Sequence, residues 1–427
     1  MSLSMVHNDR TSGYIYKGIA ILLVSLLFPC CLVSQEPSGD RPPEIEEIPW
    51  DFEGMLKAPA CRWLQDTARV RALLYEGEPY HGNKTEIFAF YASPATLDTA
   101  LARQSFPAVV LVHGGGGQAF SWWVEMWAER GYAAIAMDLR GNRPGSKQGG
   151  ESVVKLENGG PVHTRETSFW AVDSTFQVQW QFHAVSAVIR AHSLIRSIPE
   201  VDETRTALTG VSWGGYLTHI VRGLDHRFSA AVSVYGCGFI QEGSYWTMKP
   251  IFNAMTESQV QRWITFWDPA IYVPYGTSPL LMINGTNDRY YYLDIFSKTA
   301  RLAKNGSVLI RKDLGHGHQP GARQPEIMAF IDHYLRNTKP LPEITRTRQR
   351  QSKVVARYRS AEPLAEAHIF YTRDSSGNEH RVWKGNPLYV RKGYVKGSIP
   401  ADATAWYVSL TDQRGLSISS PAIFRNK

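Results

Sequence analysis

The sequence GVSWG, residues 210–214, follows a short apolar, β-branched run at residues 206–209 and precedes a helix-like segment over residues 216–223. A serine between two glycines at a strand-to-helix junction is the pattern of a nucleophile elbow. The turn is so tight that a side chain at either glycine would collide with the neighbouring elements. The pattern therefore predicts that the Ser212 hydroxyl is exposed at the carboxyl edge of a sheet, with the positive end of a helix beneath it.

Five residues are a weak signal in a chain with 35 glycines, so Ser212 needs partners elsewhere in the sequence. A serine hydroxyl is unreactive without a base that takes its proton. His316 and His318, in the sequence LGHGH, are the candidate bases. His316 is preferred because glycines on both sides let the loop bend toward the serine, and His318 is the alternative. Asp288, shortly after the apolar run at residues 280–284, can hold the imidazole in one tautomer.

A second glycine-rich stretch, HGGGG at residues 113–117, follows another apolar run. Such glycines let the backbone approach a substrate and aim N–H groups at a developing oxyanion, and the N–H of Trp213 is expected to be the other donor. A phosphate-binding loop is the alternative, but the G-K-[ST] ending of such a loop does not follow. His113 is predicted to support the loop rather than to act as a base. Cys237 is a remote alternative nucleophile and is predicted to be a buried core thiol.

These motifs, in this order and each at a strand end, resemble the α/β-hydrolase superfamily over residues 106–336. Within it the chain is similar to the acetyl xylan esterase and dienelactone-hydrolase-like branch, with the prolyl oligopeptidase catalytic domain as a neighbour. The resemblance implies a catalytic triad of Ser212, Asp288 and His316. It also implies an oxyanion hole formed by the N–H groups of Gly115 and Trp213. The large N-terminal propeller of prolyl oligopeptidases has no counterpart before the core, which argues against a peptidase.

From residue 50 to 338, short apolar runs alternate with amphipathic stretches. This alternation predicts an α/β fold, with a mostly parallel sheet covered by helices on both faces and residues 85–93 as an antiparallel edge strand. Two inserts, residues 145–170 and 238–278, follow the carboxyl ends of strands, where open α/β sheets bind ligands. The tryptophans that we predict to line the site are Trp122, Trp170 and Trp246.

Residues 340–427 differ from the core in composition, with 15 Lys and Arg against 7 Asp and Glu. Short strand-like runs separated by turns predict a small all-β, sandwich-like domain. A basic region could meet acidic polysaccharide, a membrane surface or nucleic acid. No nucleic-acid motif accompanies it, so we favour a solvated basic face and predict no nucleic-acid partner. Carbohydrate binding and a purely structural role both stay open for this domain.

The amino end has the pattern of an export signal. Arg10 and Lys17 precede an apolar run at residues 18–28, which is too short to span a bilayer comfortably and is typical of a secretory signal. We therefore predict a signal peptide or membrane anchor over residues 1–34 and an acidic, Pro-rich linker over residues 35–49. The predicted location is exported: periplasmic, secreted or associated with the cell envelope, with the N-terminus as a potential membrane tether.

Taken together, the sequence predicts an exported serine carboxylic-ester hydrolase that acts on an acylated carbohydrate or another ester. Removal of acetyl groups from a polysaccharide is the most specific expectation. No cofactor and no metal are predicted, because only Cys61 and Cys237 remain after the first 34 residues and no zinc-binding pattern occurs. The alternatives are a serine peptidase of the prolyl oligopeptidase type and a non-catalytic binding protein on the same fold.

Overall fold

The computed structural model describes residues 49–145 and 152–425. The predicted signal or anchor at residues 1–34, nearly all of the predicted linker at residues 35–49, and residues 146–151 of the first insert lie outside the described residues. Within the described ranges, no helix has both the length and the apolar character needed to cross a membrane.

A parallel sheet forms the centre of the molecule. Its strands run in the order β5-β4-β8-β9-β10-β11, each parallel to the next. Every residue of β4, β5, β9 and β10 is buried, as expected for strands with helices on both faces. The strands up to residue 311 are β1 (Cys61–Gln65), β2 (Arg71–Glu76), β3 (Glu86–Ala92), β4 (Phe106–Val112), β5 (Ala133–Met137), β6 (Asn142–Pro144), β7 (Val153–Lys155), β8 (Val201–Val211), β9 (Ala230–Val234), β10 (Leu280–Gly285) and β11 (Gly306–Arg311).

The strand predicted at residues 85–93 exists as β3 and is antiparallel to β5. The prediction that it forms the edge was wrong, because β2 and then β1 pair beyond it. β2 buries Leu73, Leu74 and Tyr75 against the core, whereas all five residues of β1 are exposed. A strand with no buried residue shows no apolar alternation, so periodicity does not reveal this edge strand.

Helices cover both faces of the sheet. The long helix α5 is buried at all but two of its positions, and α6 is buried along its whole length. α12 begins with Pro325 in its first turn and ends at Asn337 in a left-handed conformation, the usual signals for a helix start and stop. The helices are α1 (Phe52–Met55), α2 (Pro94–Leu97), α3 (Ser121–Ala128), α4 (Arg165–Ser168), α5 (Trp180–Arg196), α6 (Trp213–Leu224), α7 (Tyr245–Met248), α8 (Glu257–Trp267), α9 (Pro269–Tyr272), α10 (Leu293–Ala300), α11 (His318–Ala322) and α12 (Pro325–Arg336).

The two predicted inserts differ in secondary structure. The β6–β7 hairpin begins just before the first insert and ends within it, and the short helix α4 follows. The second insert is mostly helical and contains α7, α8 and α9. α8 begins with a capping box in which Thr256 and Gln259 satisfy each other's backbone N–H groups.

After residue 342, all but one of the regular elements of the described chain are strands: β12 (Glu343–Arg350), β13 (Lys353–Arg359), β14 (Leu364–Thr372), β15 (Lys384–Pro387), β16 (Tyr389–Arg391), β17 (Tyr394–Ser398), β18 (Ala405–Asp412), β19 (Ser417–Ser419) and β20 (Ile423–Phe424). Four of them form a separate sheet in the order β12-β13-β17-β16. A single-turn 3₁₀ helix, Asn378–His380, lies between β14 and β15.

The remaining C-terminal strands continue the central sheet. β19 pairs with β11 at Val308 and Ser419, and β18, β14 and β15 follow outward from β19. The buried side chains of both regions form one hydrophobic core. The C-terminal region is thus all β, as predicted, and it is joined to the core along a sheet edge. The boundaries assigned to the two domains stay a prediction.

Candidate active site

Ser212 occupies the turn between β8 and α6. Its φ of 61° and ψ of −117° are strained values for a residue with a side chain. A Cβ atom at Gly210 would lie 2.1 Å from the carbonyl oxygen of Gly214, and one at Gly214 would lie 2.0 Å from that of Val112. Both distances are far inside van der Waals contact. The glycines therefore stand where the tight turn leaves no room for a side chain.

Ser212, His316 and Asp288 form a chain of hydrogen bonds. The Nε2 atom of His316 lies 2.9 Å from the Ser212 Oγ, and its Nδ1 lies 2.6 Å from the Asp288 Oδ2. An ionised carboxylate only accepts, so Nδ1 carries a proton and Nε2 is free to accept one from the serine. Asp288 is fully buried, and the His316 side chain is 11% exposed. The structure thus brings together the three side chains that the sequence singled out.

The loop that carries Asp288 is held from two sides. The Asp288 Oδ1 accepts hydrogen bonds from the backbone N–H groups of Tyr290 and Tyr291, at 2.7 and 2.8 Å. From the C-terminal region, the buried side chain of Asn378 donates to the Asp288 carbonyl oxygen at 2.7 Å. Asn287 donates in return to the carbonyl oxygen of Arg381 at 2.8 Å. Sequence analysis missed Asn378, because nothing near it in the chain indicates a contact 90 residues away.

The imidazole of His316 lies between two tyrosine rings. The ring centroids of Tyr235 and Tyr290 are 4.4 and 4.6 Å from it. The Tyr235 hydroxyl also donates to the carbonyl oxygen of Gly315, at 2.9 Å. Ring packing and this hydrogen bond fix both the imidazole and the loop that carries it.

The glycine loop after β4 lies against the nucleophile. A Cβ atom at Gly114 would lie 3.0 Å from the Ser212 Cβ. His113 secures the loop: its Nε2 accepts from the Leu139 N–H at 2.9 Å, which leaves Nδ1 to donate to the Gly114 carbonyl oxygen at 2.6 Å. Burial lowers the pKa of His113 and so keeps the ring neutral. This is the supporting role that the sequence predicted for it.

Gly115 and Trp213, the residues predicted to donate to an oxyanion, line the same cavity as Ser212. The two residues are adjacent, since a Cβ atom at Gly115 would lie 2.5 Å from the Trp213 ring. Among the described residues, neither N–H donates to another backbone carbonyl or side chain. The Trp213 N–H is also the first of helix α6, where the helix dipole favours negative charge. The two residues predicted to form the oxyanion hole thus lie next to each other, and each has a backbone N–H without an acceptor among the described residues.

A cavity of about 480 Å³ opens in front of Ser212. Besides Ser212, its lining consists of Gly114, Gly115, Gly116, Gly117, Phe120, His163, Val211, Trp213, Trp246, Arg289, Tyr290, His316 and His318. Trp246 therefore borders the site, as predicted. Trp122 and Trp170 do not. The Trp122 ring packs on Trp123 and under the Arg323 guanidinium, and Trp170 is an exposed residue beside Arg165.

His163 and Arg289 are lining residues that the sequence did not indicate. The His163 ring packs against Trp180 and Trp213, and burial lowers its pKa to about 3. Arg289 is exposed, and its guanidinium lies 5.0 Å from the Tyr290 ring centroid. Among the described residues, no Asp or Glu contributes to the lining, and Arg289 is the one side chain in it with a permanent charge. Each of these residues lies in a loop without periodicity, where sequence patterns do not give side-chain direction.

His318 and Cys237, the alternative base and the alternative nucleophile, do not take part in the hydrogen-bonded series of Ser212, His316 and Asp288. The His318 ring packs against Phe120 and Trp123, and neither of its nitrogens has a hydrogen-bond partner among the described residues. Burial lowers its pKa to about 3. The structure therefore keeps His318 out of the position suggested for an alternative base. Cys237 is fully buried, and burial raises the pKa of its thiol well above the ordinary value, which leaves it an inert core residue.

Comparison with known proteins relates this chain to esterases and peptidases. A family model described as acetyl xylan esterase matches residues 63–270. Among curated proteins, an uncharacterized peptidase of Bacillus subtilis, YuxL, is 25% identical over 197 residues, which are 43% of this chain and 26% of that protein. A probable dipeptidyl-peptidase 5 of Emericella nidulans is 24% identical over 202 residues, 44% of this chain and 23% of that one. This chain thus spans about a quarter of the length of the curated relatives it matches.

Among solved structures, an acetyl xylan esterase from Paenibacillus sp. R4 has a TM-score of 0.52 and 23% sequence identity, and the match covers 66% of this chain and 92% of that one. This likeness shows that the two share a fold. With the parallel sheet, the elbow after β8 and the matched family model, it establishes the α/β-hydrolase fold for the core of this chain.

Proposed function

We propose that this chain, a serine hydrolase of the α/β-hydrolase fold, cleaves carboxylic esters through an acyl-serine intermediate. The observation that carries the proposal is the hydrogen-bonded series Ser212–His316–Asp288, which faces a cavity beside two free backbone N–H groups. Ser212 is the proposed nucleophile, His316 the base and Asp288 the acid that orients it. The N–H groups of Gly115 and Trp213 are the proposed oxyanion hole.

In the first half of the reaction, the Ser212 Oγ attacks the ester carbonyl carbon while its proton passes to the His316 Nε2. The carbonyl oxygen becomes an oxyanion that the two N–H groups stabilise. Asp288 stabilises the imidazolium without taking its proton. The C–O bond to the alcohol then breaks, and His316 returns the proton to the departing alkoxide. The alcohol leaves, and the acyl group stays on Ser212.

In the second half, a water molecule takes the place of the alcohol. It gives a proton to His316 and attacks the acyl carbon, so that a second oxyanion forms in the same hole. This intermediate collapses with cleavage of the bond to the Ser212 Oγ, which recovers its proton from His316. The products are a carboxylic acid and the unmodified serine.

The charge of the cavity favours esters over peptides with a free amino end. A peptidase that removes residues from an amino terminus needs carboxylates to bind the substrate's ammonium group. In the part of the chain that the structure describes, no carboxylate lines the cavity, and Arg289 would repel such a group. The relatives named as peptidases match only part of this chain, so their activity is the rival proposal. A non-catalytic binding protein is the remaining one.

The proposed substrate is a carbohydrate that carries acetyl esters. The family model that matches the chain is described as acetyl xylan esterase. The cavity volume is ordinary for a small-molecule site, and Trp246 offers an aromatic surface of the kind that packs on a sugar ring. We also propose that the protein is exported, with residues 1–34 as its signal or membrane anchor.

Ser212→Ala tests the proposal most directly. We expect hydrolysis of p-nitrophenyl acetate and release of acetate from acetylated xylan to fall at least about 10³-fold, because the nucleophile is lost. Labelling by a fluorophosphonate probe should disappear as well. Ser398→Ala, at an exposed serine of β17, is the matched control and should behave as wild type. Full activity of Ser212→Ala would refute the mechanism. Turnover of aminoacyl amides without turnover of esters would favour the peptidase, and a wild-type protein that neither hydrolyses nor labels would favour a binding protein.

A further inference from the structure

Much of the positive charge of the C-terminal region lies on one face of one sheet. In an antiparallel sheet, directly paired residues share a face. The pairs Arg346–Arg357, Arg350–Lys353 and Arg391–Tyr394 therefore project to the same side. The other side of the sheet carries Val354, Ala356 and Val395, which are buried in the core. We call the outer side the basic face; its cations are Arg346, Arg348, Arg350, Lys353, Arg357, Arg359, Arg391 and Lys396, all exposed.

These charges are almost uncompensated. Among the residues that the structure describes, only Arg359 has an ion-pair partner, Glu343 at 3.8 Å. Like charges placed directly opposite each other destabilise a sheet, and Arg346 with Arg357 and Arg350 with Lys353 are such pairs. An arrangement that costs stability in the free protein is explained if an anionic partner neutralises it.

The basic face continues into a large groove. A cavity of about 1020 Å³ lies between the hydrolase core and the C-terminal strands. Arg346 and Arg359 belong to both its lining and the basic face, and the core adds Arg301 and Lys304. Glu343 is the one carboxylate that the described residues contribute to the lining, and it is already paired with Arg359. Cations from two parts of the chain thus converge on one depression in the surface.

Two exposed tyrosines lie among the cations. Tyr389 is paired with Lys396 and Tyr394 with Arg391 across neighbouring strands, and Arg391 and Lys396 both lie within about 5 Å of the Tyr389 ring. Exposed aromatic rings pack on the apolar faces of sugars. Along a strand, alternate residues are about 7 Å apart, and neighbouring strands are about 4.8 Å apart. A flat array of cations and rings at these spacings suits an extended acidic glycan.

We propose that the basic face and its groove bind an acidic polysaccharide, whose carboxylate or sulfate groups meet the arginines and lysines. The occupant is a polymer because the cations extend over four strands and a groove, much further than one monosaccharide. The choice of a polysaccharide over a nucleic acid or an anionic membrane rests on the proposed ester hydrolase function, since one acidic, acylated polymer would then occupy both the face and the catalytic cavity. The binding itself does not depend on Ser212.

The test compares two variants with the same change in net charge. The first combines Lys304→Glu, Arg346→Glu and Arg348→Glu on the groove and basic face. The control combines Lys57→Glu, Lys84→Glu and Arg103→Glu, which are exposed cations elsewhere on the core. The ligands are polygalacturonate, neutral xylan, a short DNA duplex and vesicles that contain phosphatidylserine. Hydrolysis of p-nitrophenyl acetate by each protein reports independently on the catalytic site.

We expect wild type to bind polygalacturonate at least about 10-fold more tightly than neutral xylan, and to lose affinity as salt screens the charges. The face variant should lose at least about 10-fold in this affinity with unchanged hydrolysis of p-nitrophenyl acetate, and the control variant should keep the affinity within about 3-fold. Equal losses in both variants would show a net-charge effect and overturn the proposal. So would tighter binding to DNA or to the vesicles, or no preference over neutral xylan. If wild type did not hydrolyse p-nitrophenyl acetate, the proposed function would be refuted, and the binding result would still stand.

Discussion

The two loops that meet at His316 are held in place in different ways. The elbow around Ser212 is fixed by its own backbone: the Ser212 N–H donates to the carbonyl oxygen of Val234 on the next strand, and the Tyr216 N–H donates to the Ser212 carbonyl oxygen. All of these groups belong to the hydrolase core. The loop of Asp288 is held by the neighbouring N–H groups of Tyr290 and Tyr291 and, in addition, by Asn378, a side chain from beyond the end of that core. One loop is thus specified within the core, and the other also depends on a distant segment.

This difference explains which parts of the site the sequence revealed. A backbone-fixed turn needs glycines at set positions, and these leave a visible motif. A contact from one remote side chain leaves no motif, because an asparagine at position 378 looks like any other turn residue. A substitution in the elbow should therefore disrupt the site by steric collision, and a substitution at Asn378 should disrupt it by loss of a hydrogen bond. Variants at these positions can distinguish the two effects.

Gly214→Ala should have the largest effect. The new methyl group would lie 2.0 Å from the Val112 carbonyl oxygen and 2.8 Å from that of His113, and backbone atoms cannot move aside as a flexible side chain can. We expect the free energy of unfolding to fall by at least about 3 kcal/mol and ester hydrolysis to fall at least about 100-fold. Denaturant titration and assays with p-nitrophenyl acetate measure the two quantities.

Gly377→Ala is the matched control for this collision. Gly377 precedes Asn378, has a negative φ, and has no atom within 4 Å of its Cβ position. We expect stability within about 0.5 kcal/mol of wild type. If Gly214→Ala behaved like this control, the elbow would not be held by backbone contact, and the comparison between the two loops would break down.

Asn378→Ala should have an intermediate effect that appears in catalysis. The substitution leaves the Asp288 carbonyl oxygen buried without its donor, a loss that typically costs about 1–3 kcal/mol. We expect kcat to fall about 10-fold with KM nearly unchanged, because Asp288 acts on His316 and not on the bound ester. Asn386→Ala, at an exposed position of β15, is the control. Equal kcat values for the two variants, or a change confined to KM, would show that Asn378 does not position the acid.

His318→Phe should have the smallest effect, visible only as a function of pH. The pKa of the buried His318 is lowered from 6.5 to about 3, so the unfolded chain binds a proton that the folded chain rejects. The wild-type protein should therefore lose stability as pH falls from 6.5 toward about 3, and no such loss should arise from this group above pH 6.5. Phenylalanine suits the pocket of Phe120 and Trp123 and has no such proton.

Denaturant titrations at pH 7 and pH 5 measure this effect. The variant should lose less stability than wild type between the two values. An identical loss would mean that His318 already accepts a proton in the folded state. The remaining pH dependence should come partly from His163, whose pKa is lowered to the same degree by burial.

The central sheet could be predicted from the sequence because its strands are buried on both faces and appear as apolar runs. The apolar runs at residues 206–209 and 280–284 lie within β8 and β10. β1 was not predicted because it is exposed on both faces. The pairing of β19 with β11 was not predicted because β19 has only three residues and lies more than 100 positions after β11 in the sequence, so no periodic pattern indicates it. For the site, motifs located the reactive side chains. Most of the residues that line the cavity could not be predicted from the sequence. Trp122 and Trp170 illustrate this, because residue type and proximity in sequence do not give the direction of a ring.

The junction between β11 and β19 also bears on the order in which the site can assemble during synthesis. Residues 417–419 pair with β11 and residue 378 secures the loop of Asp288, so the arrangement around Ser212 is final only after these residues have left the ribosome. A chain cut after residue 338 would contain every motif of the site and would still present β11 as an unpaired edge, ready to pair with another chain. The strands after residue 342 thus cover an edge that the core leaves open and hold the loop of Asp288 in place.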